Sequence, residues 1–169
     1  KRQERYIAGD ARANEHVGLT AIHLIFVREH NRIAEVLETQ NPEWTDEDIY
    51  QTARKYVTAL MQQITYQEYL PSMNIYSDWG EYDSSVDPSV SNAFTTLAFR
   101  MGHSQIGPLT LRLEENRTSI SQGSIAMENG FWDPNSLVTD GGIDPVLRGL
   151  AFTTQEANDV GYIHALRNM

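Results

Sequence analysis

His103 closes the run Ala98-Phe99-Arg100-Met101-Gly102-His103, and Arg12 opens the run Arg12-Ala13-Asn14-Glu15. A neutral imidazole is a common ligand to haem iron, and a guanidinium on the opposite face of such a site can stabilise charge as an O–O bond breaks. Together the two strings suggest chemistry on a peroxide. Each string also has a plainer reading. Arg12 and Glu15, three apart on a helix, share a face and can form an ordinary surface ion pair. A histidine at a helix C-terminus is favoured by the macrodipole alone, and Arg100 one turn earlier is either a solvated charge or a clamp for an anionic group.

Other strings carry less. Arg28-Glu29-His30-Asn31-Arg32 offers a metal-like His and Glu, but adjacent residues on a helix point in different directions, and the run reads as a structural tie between helices. The chain contains no Glu-x-x-His pair, no His-Glu-x-x-His, no Gly-x-Gly-x-x-Gly, no Walker loop and no Gly-x-Ser-x-Gly. Asn116-Arg117-Thr118 matches a glycosylation sequon that matters only in a eukaryotic secretory route.

The elements that must position these residues are helical, and the expected class is mainly α. Leu19, Ile22, Ile25, Phe26, Ile33, Val36 and Leu37 recur at three- and four-residue spacings, predicting a helix from Val17 to Leu37 that Asn41-Pro42 ends. Thr45 and Asp48 form a capping box for a second helix running toward Tyr69. Asp87-Pro88 predicts a third helix from Pro88 to about Gly102. The Ser-, Asn- and Gly-rich stretch 114–130 reads as a surface excursion, and 131–138 as holding a short helix. Gly141-Gly142-Ile143-Asp144-Pro145 starts a helix through Leu150, and a last helix is expected over 154–169. Residues 1–169 show no repeat and no internal domain boundary.

Composition narrows the function classes. Thirteen Lys and Arg against 23 Asp and Glu give a formal net charge of −10, which disfavours nucleic acid or an anionic membrane surface as the main partner. The absence of cysteine excludes disulfides, thiolate zinc sites and cysteine nucleophiles from this segment. No apolar run approaches the roughly 20 residues of a membrane span.

Five strings, in order, resemble the animal-type haem peroxidases, the group that contains myeloperoxidase and peroxidasin. They are residues 8–15 (AGDARANE), 28–32 (REHNR), 64–71 (ITYQEYLP), 99–103 (FRMGH) and 141–150 (GGIDPVLRGL). The resemblance covers nearly the whole chain and implies the family's helical fold, with residues 1–169 as the central portion of one catalytic domain. It implies that Arg12 is the arginine beside the peroxide site. Glu15 becomes the carboxylate that can form an ester with a haem methyl, Arg100 the holder of a propionate, and His103 the iron ligand. The cofactor implied is haem b or a covalently modified haem.

The family's distal histidine, its second haem-linking aspartate, its calcium ligands and the asparagine that bonds the proximal histidine have no match in these residues. Activity is therefore expected to need the remaining segments of the domain, and calcium to bind through them. His16 stands where some members carry a methionine that makes a sulfonium link to haem, so that link cannot form. The implied substrates are hydrogen peroxide and a small reductant: bromide, iodide, thiocyanate, or a phenolic or tyrosyl donor. The implied location is extracellular. Two other readings stay open: a fatty-acid dioxygenase of the same fold, for which the motif before His103 offers no tyrosine, and a haem-free scaffold or adhesion module.

Overall fold

The computed structural model describes residue 6, residues 9–76, residue 78 and residues 80–168. Its elements are mainly helical. They cluster into two compact units, one made of the described residues among 1–23 and 88–169, the other of 24–87. Among the described residues no helix is long and apolar enough to cross a membrane.

Helix α1 spans Val17–Gln40. At its start the His16 ring accepts the Gly18 N–H through Nδ1 at 3.1 Å, and the Thr20 hydroxyl donates to the Ala13 carbonyl at 2.8 Å. These bonds use groups that a helix N-terminus would otherwise leave unpaired. At its end the Leu37 carbonyl accepts both the backbone N–H of Asn41 and its side-chain amide, and Pro42 cannot continue the ladder. Helix α2, Asp46–Ile64, opens on the expected capping box: Thr45 N–H donates to Asp48 Oδ2 at 3.1 Å and Asp48 N–H to Thr45 Oγ1 at 3.2 Å. The α-helix stops at Ile64 rather than running on to Tyr69. Thr65–Tyr69 form a wide π-type turn, followed by α3, Leu70–Ser72. Pro71 supplies no N–H at this point, so the regular ladder could not have run through it.

The expected third helix is shorter and starts later. Ser91, not Asp87, is the cap, its hydroxyl accepting the Phe94 N–H, and α4 covers only Asn92–Thr96. The Thr95 and Thr96 hydroxyls both bond the Asn92 carbonyl, a local competition that weakens helix propagation. Leu97 then leaves helical geometry, and Ala98–Gln105 form a 3-10 helix. The helix expected over 154–169 is likewise reduced, to α7, His164–Arg167. Upstream of it, Asn158, Asp159 and Gly161 favour turns: Gly161 N–H donates to Asp159 Oδ1, and Asn158 Oδ1 accepts from the Gln105 side chain.

The stretch 114–130 is not a free surface excursion. Strand β1, Leu109–Thr110, pairs antiparallel with β2, Ile125–Ala126, and Leu113 bridges Ser119. Leu113, Ile120 and Ile125 are buried. Between them sits Arg112, only 5 % exposed, with each guanidinium nitrogen bonded: it donates to the Gly123 and Gln122 carbonyls and to Asp140 Oδ2 at 2.8 Å. One buried cation thus fixes the returning loop to the end of α5, Asn135–Thr139. Gly141 and Gly142 follow at φ of 93° and 79°, a turn that side chains resist, and lead into α6, Asp144–Phe152. Gly149 on α6 lies so close to Leu111 that a Cβ there would land on the Leu111 carbonyl oxygen.

The Arg112–Asp140 pair sets the first prediction. Arg112→Ala leaves two carbonyls and a carboxylate without their donor and should cost about 3 kcal/mol, read from urea unfolding. Arg112 holds the Asp140 carboxyl below its usual range, with Thr139 adding a second hydrogen bond. A depressed carboxyl stabilises the fold above its unfolded pKa, and that contribution fades as pH falls through the folded value. The loss caused by Arg112→Ala should therefore be full at neutral pH and shrink in acid; a pH-independent loss would contradict the ion pair.

Candidate functional site

The 3-10 helix Ala98–Gln105 carries both Arg100 and His103. With three residues per turn, positions three apart lie one above the other, so the two share a side. His103 Nδ1 is 2.7 Å from the Arg100 carbonyl oxygen. A carbonyl only accepts, so Nδ1 carries the proton and Nε2 keeps its lone pair. The ring is thereby prepared as a ligand through Nε2, the arrangement by which metal-binding histidines are oriented.

A cavity of about 480 Å³ opens in front of this pair. Ile106, Phe131 and Leu166 supply apolar wall, and Tyr162 and Arg167 complete the lining with Arg100 and His103. The Tyr162 ring meets the His103 ring edge-on, centroids 6.3 Å apart. Arg100 Cζ lies 5.1 Å from the centroid of the Phe99 ring. An imidazole with a free Nε2, two guanidinium groups and apolar walls suit a flat apolar macrocycle that carries a metal at its centre and carboxylates at its edge. That matches the haem the sequence implies.

Sequence reasoning missed Tyr162 and Arg167. Both lie within 154–169, where one continuous helix is expected, and only the irregular path of residues 153–163 brings them against residues some 60 positions earlier. No periodicity in the chain carries that information.

Arg12 and Glu15 belong to a different part of the same unit. Ala11–Asn14 is a 3-10 turn capped by Asp10, whose Oδ1 accepts the Arg12 N–H at 2.8 Å. The Arg12 guanidinium turns back on the same carboxylate, Nη2 to Oδ2 at 2.7 Å and Nε to Oδ1 at 3.1 Å. Asp10, not Glu15, is its ion-pair partner. Hydrogen bonds from the Arg12 side chain and backbone push the Asp10 carboxyl down to about 2, and the Arg12 guanidinium is held more firmly protonated in return. The Arg12 side chain is 79 % exposed, so little besides Asp10 restrains it.

Neither Arg12 nor Glu15 lines the His103 cavity. They connect to it through the backbone. The Glu15 carbonyl accepts the Trp132 N–H at 2.9 Å, and His16 forms an antiparallel bridge with Phe131, the residue that walls the cavity. Of the four residues singled out, the structure thus brings Arg100 and His103 together and places Arg12 and Glu15 one strand-like segment away.

His16 is inside. Burial pushes its imidazole below the usual value, against opposing pulls from the Met127 backbone and Glu15. A second apolar cavity of about 510 Å³ lies beside it, walled by residues such as Leu19, Ile22 and Leu111, and shares Ile106 and Phe131 with the first.

Within the 24–87 unit the string 28–32 is structural. Arg32 makes two 2.8 Å bonds to the Glu29 carboxylate, and His30 packs at 5.3 Å against Tyr50 of α2. Among the described residues no group of three or more His, Asp or Glu side chains is placed to hold a metal ion.

Known proteins agree with this architecture. A peroxidasin homologue of Caenorhabditis briggsae is 46 % identical over 153 residues, covering 86 % of this chain and 12 % of that protein. Thyroid peroxidase of Sus scrofa is 42 % identical over 152 residues, covering 86 % of this chain and 16 % of its own. The solved structure of peroxidase A from Dictyostelium discoideum superposes with a TM-score of 0.88 at 37 % identity, over 96 % of this chain and 31 % of that one. The chain therefore spans less than a fifth of the length of these two curated relatives and about a third of that solved structure. The family model for animal haem peroxidase matches residues 1–169, and the chain belongs to that family.

Proposed function

We propose that these residues form the central portion of a haem peroxidase domain that reduces hydrogen peroxide and oxidises a small donor, working together with the other segments of that domain. The observation that carries the reading is the 2.7 Å contact of His103 Nδ1 with the Arg100 carbonyl, which makes Nδ1 the donor and leaves the Nε2 lone pair for a metal, in an apolar cavity flanked by Arg100 and Arg167. His103 would hold the iron, and the two guanidinium groups would hold the propionates, bidentate donors for carboxylates. Haem, when bound, supplies the iron at which peroxide is reduced and from which the donor is oxidised.

The chain's own residues do the rest. Arg12 stabilises negative charge on the outer peroxide oxygen as the O–O bond lengthens. It is protonated throughout the working range and cannot act as the base, so the proton moves through a residue outside this segment. Its exposed pairing with Asp10 is weakly held and lets the guanidinium swing without breaking any buried contact. Glu15 is the candidate for a covalent ester to a haem methyl. Family kinship supports a halide, pseudohalide or phenolic donor, calcium held by other segments, and an extracellular setting.

One observation favours a second reading. The fatty-acid dioxygenase alternative lacked a tyrosine near the iron ligand in the local motif, yet Tyr162 stands edge-on to His103. Oxygen uptake with a polyunsaturated fatty acid, abolished by Tyr162→Phe while peroxide-driven donor oxidation persists, would establish that activity. Retained donor oxidation with no fatty-acid-dependent oxygen uptake in the wild-type protein is the result the peroxidase reading expects.

Two substitutions in the full-length protein separate the iron ligand from the peroxide-side cation. His103→Ala should abolish the haem Soret band or shift it to a weak-ligand form. Arg12→Ala should keep that band and slow peroxide reduction by roughly two to three orders of magnitude, the usual cost of one such donor. A wild-type spectrum in the first, or wild-type stopped-flow kinetics in the second, would move the role elsewhere.

After turnover with peroxide, mass spectrometry of a digest should find a haem-bearing peptide containing Glu15. His16 should carry no adduct, since it lacks the thioether of a sulfonium link. Complete recovery of the unmodified Glu15 peptide from active enzyme would exclude the ester.

A further inference from the structure

The His16 ring sits in a slot built for it. A Cβ on Gly18 would lie 3.3 Å from Nδ1, and a Cβ on Gly130 would lie 2.5 Å from Nε2, so glycines stand close on both sides of the imidazole. Nδ1 is used by the Gly18 N–H that opens α1, while Nε2 is buried and makes no well-formed hydrogen bond, the Met127 backbone being the polar group that acts on the ring. The ring edge meets Phe131 at a centroid distance of 4.9 Å, and its backbone bridges the same residue. Phe131 in turn walls the cavity of His103 and Arg100. The Gly18 N–H needs only an acceptor, so capping alone gives no reason for an imidazole ring here.

We infer that His16 is a positioning residue: its ring, wedged between Gly18 and Gly130 and set against Phe131, fixes the Arg12–Glu15 segment relative to the His103 cavity. The inference rests on the peroxidase reading for what Arg12 and Glu15 do. The mechanical link itself stands on the geometry. Glu15 is tied to Trp132 and His16 to Phe131 by adjacent backbone contacts, and a side chain that does not fill the slot would loosen both. A helix-capping role alone would need only the acceptor, and asparagine supplies one.

His16→Asn and Gly130→Ala in the full-length haem-loaded protein test this. His16→Asn keeps an acceptor for the Gly18 N–H but loses the ring. The expected result is a near-wild-type unfolding temperature and Soret band, faster exchange of the Trp132 amide, and peroxide reduction slower by roughly tenfold or more, with KM for the donor unmoved. Gly130→Ala should slow the same step, because its methyl displaces the ring. The double variant should be no slower than His16→Asn alone, since the smaller side chain leaves room for the methyl, a non-additivity that only a shared contact produces.

Wild-type exchange at Trp132 together with wild-type peroxide kinetics in His16→Asn would overturn the inference, and so would strict additivity in the double variant. Should Gly130→Ala fail to fold, His16→Asn decides alone. Loss of the peroxidase reading has a different signature, namely a wild-type protein whose spectrum is indifferent to His103→Ala. In that case the Trp132 exchange still reports whether His16 holds the two segments together.

Discussion

The 2.7 Å bond from His103 Nδ1–H to the Arg100 carbonyl governs what the site can do. It selects one of two tautomers, leaves Nε2 as a lone pair, and ties the ring to the turn that carries Arg100. A histidine with the opposite tautomer would present N–H to the cavity and repel a metal cation. The 3-10 turn favours this bond, because its three-residue repeat stacks the ring of position 103 over the carbonyl of position 100.

A second constraint is the short antiparallel join between residues 15–16 and 131–132. It lets two stretches more than 100 positions apart share one wall, with Phe131 as the common residue. The loop that returns residue 131 to this position is held by Arg112 and Asp140, and by the close approach of Gly149 to Leu111. None of these groups does chemistry, yet each determines where the chemically able residues stand.

Much of this was legible in the sequence where local physics decides the outcome. The three- and four-residue spacing of apolar side chains located α1, the Thr45–Asp48 box located the start of α2, and Gly141-Gly142 followed by Asp144-Pro145 located α6. Local signals failed where competing local bonds or distant contacts took over. Asp87-Pro88 looked like a cap, but the Ser91 hydroxyl captured the Phe94 N–H and the helix began there. The segment 154–163 had helical composition in part, but Asn158, Asp159 and Gly161 turned it, and its path delivers Tyr162 and Arg167 to the cavity. Arg100 and His103, proposed as clamp and ligand, were visible as a motif. Arg112 was not, because its role is set by carbonyls and a carboxylate that the chain brings to it from 10 to 28 residues away.

The most direct measurement of the central claim is resonance Raman spectroscopy of the ferrous full-length protein grown with 15N-histidine. The account predicts a low-frequency iron–imidazole stretching band that shifts with the isotope and vanishes in His103→Ala. An isotope-sensitive iron–imidazole band that survives in His103→Ala would show that another histidine holds the iron and would contradict the account.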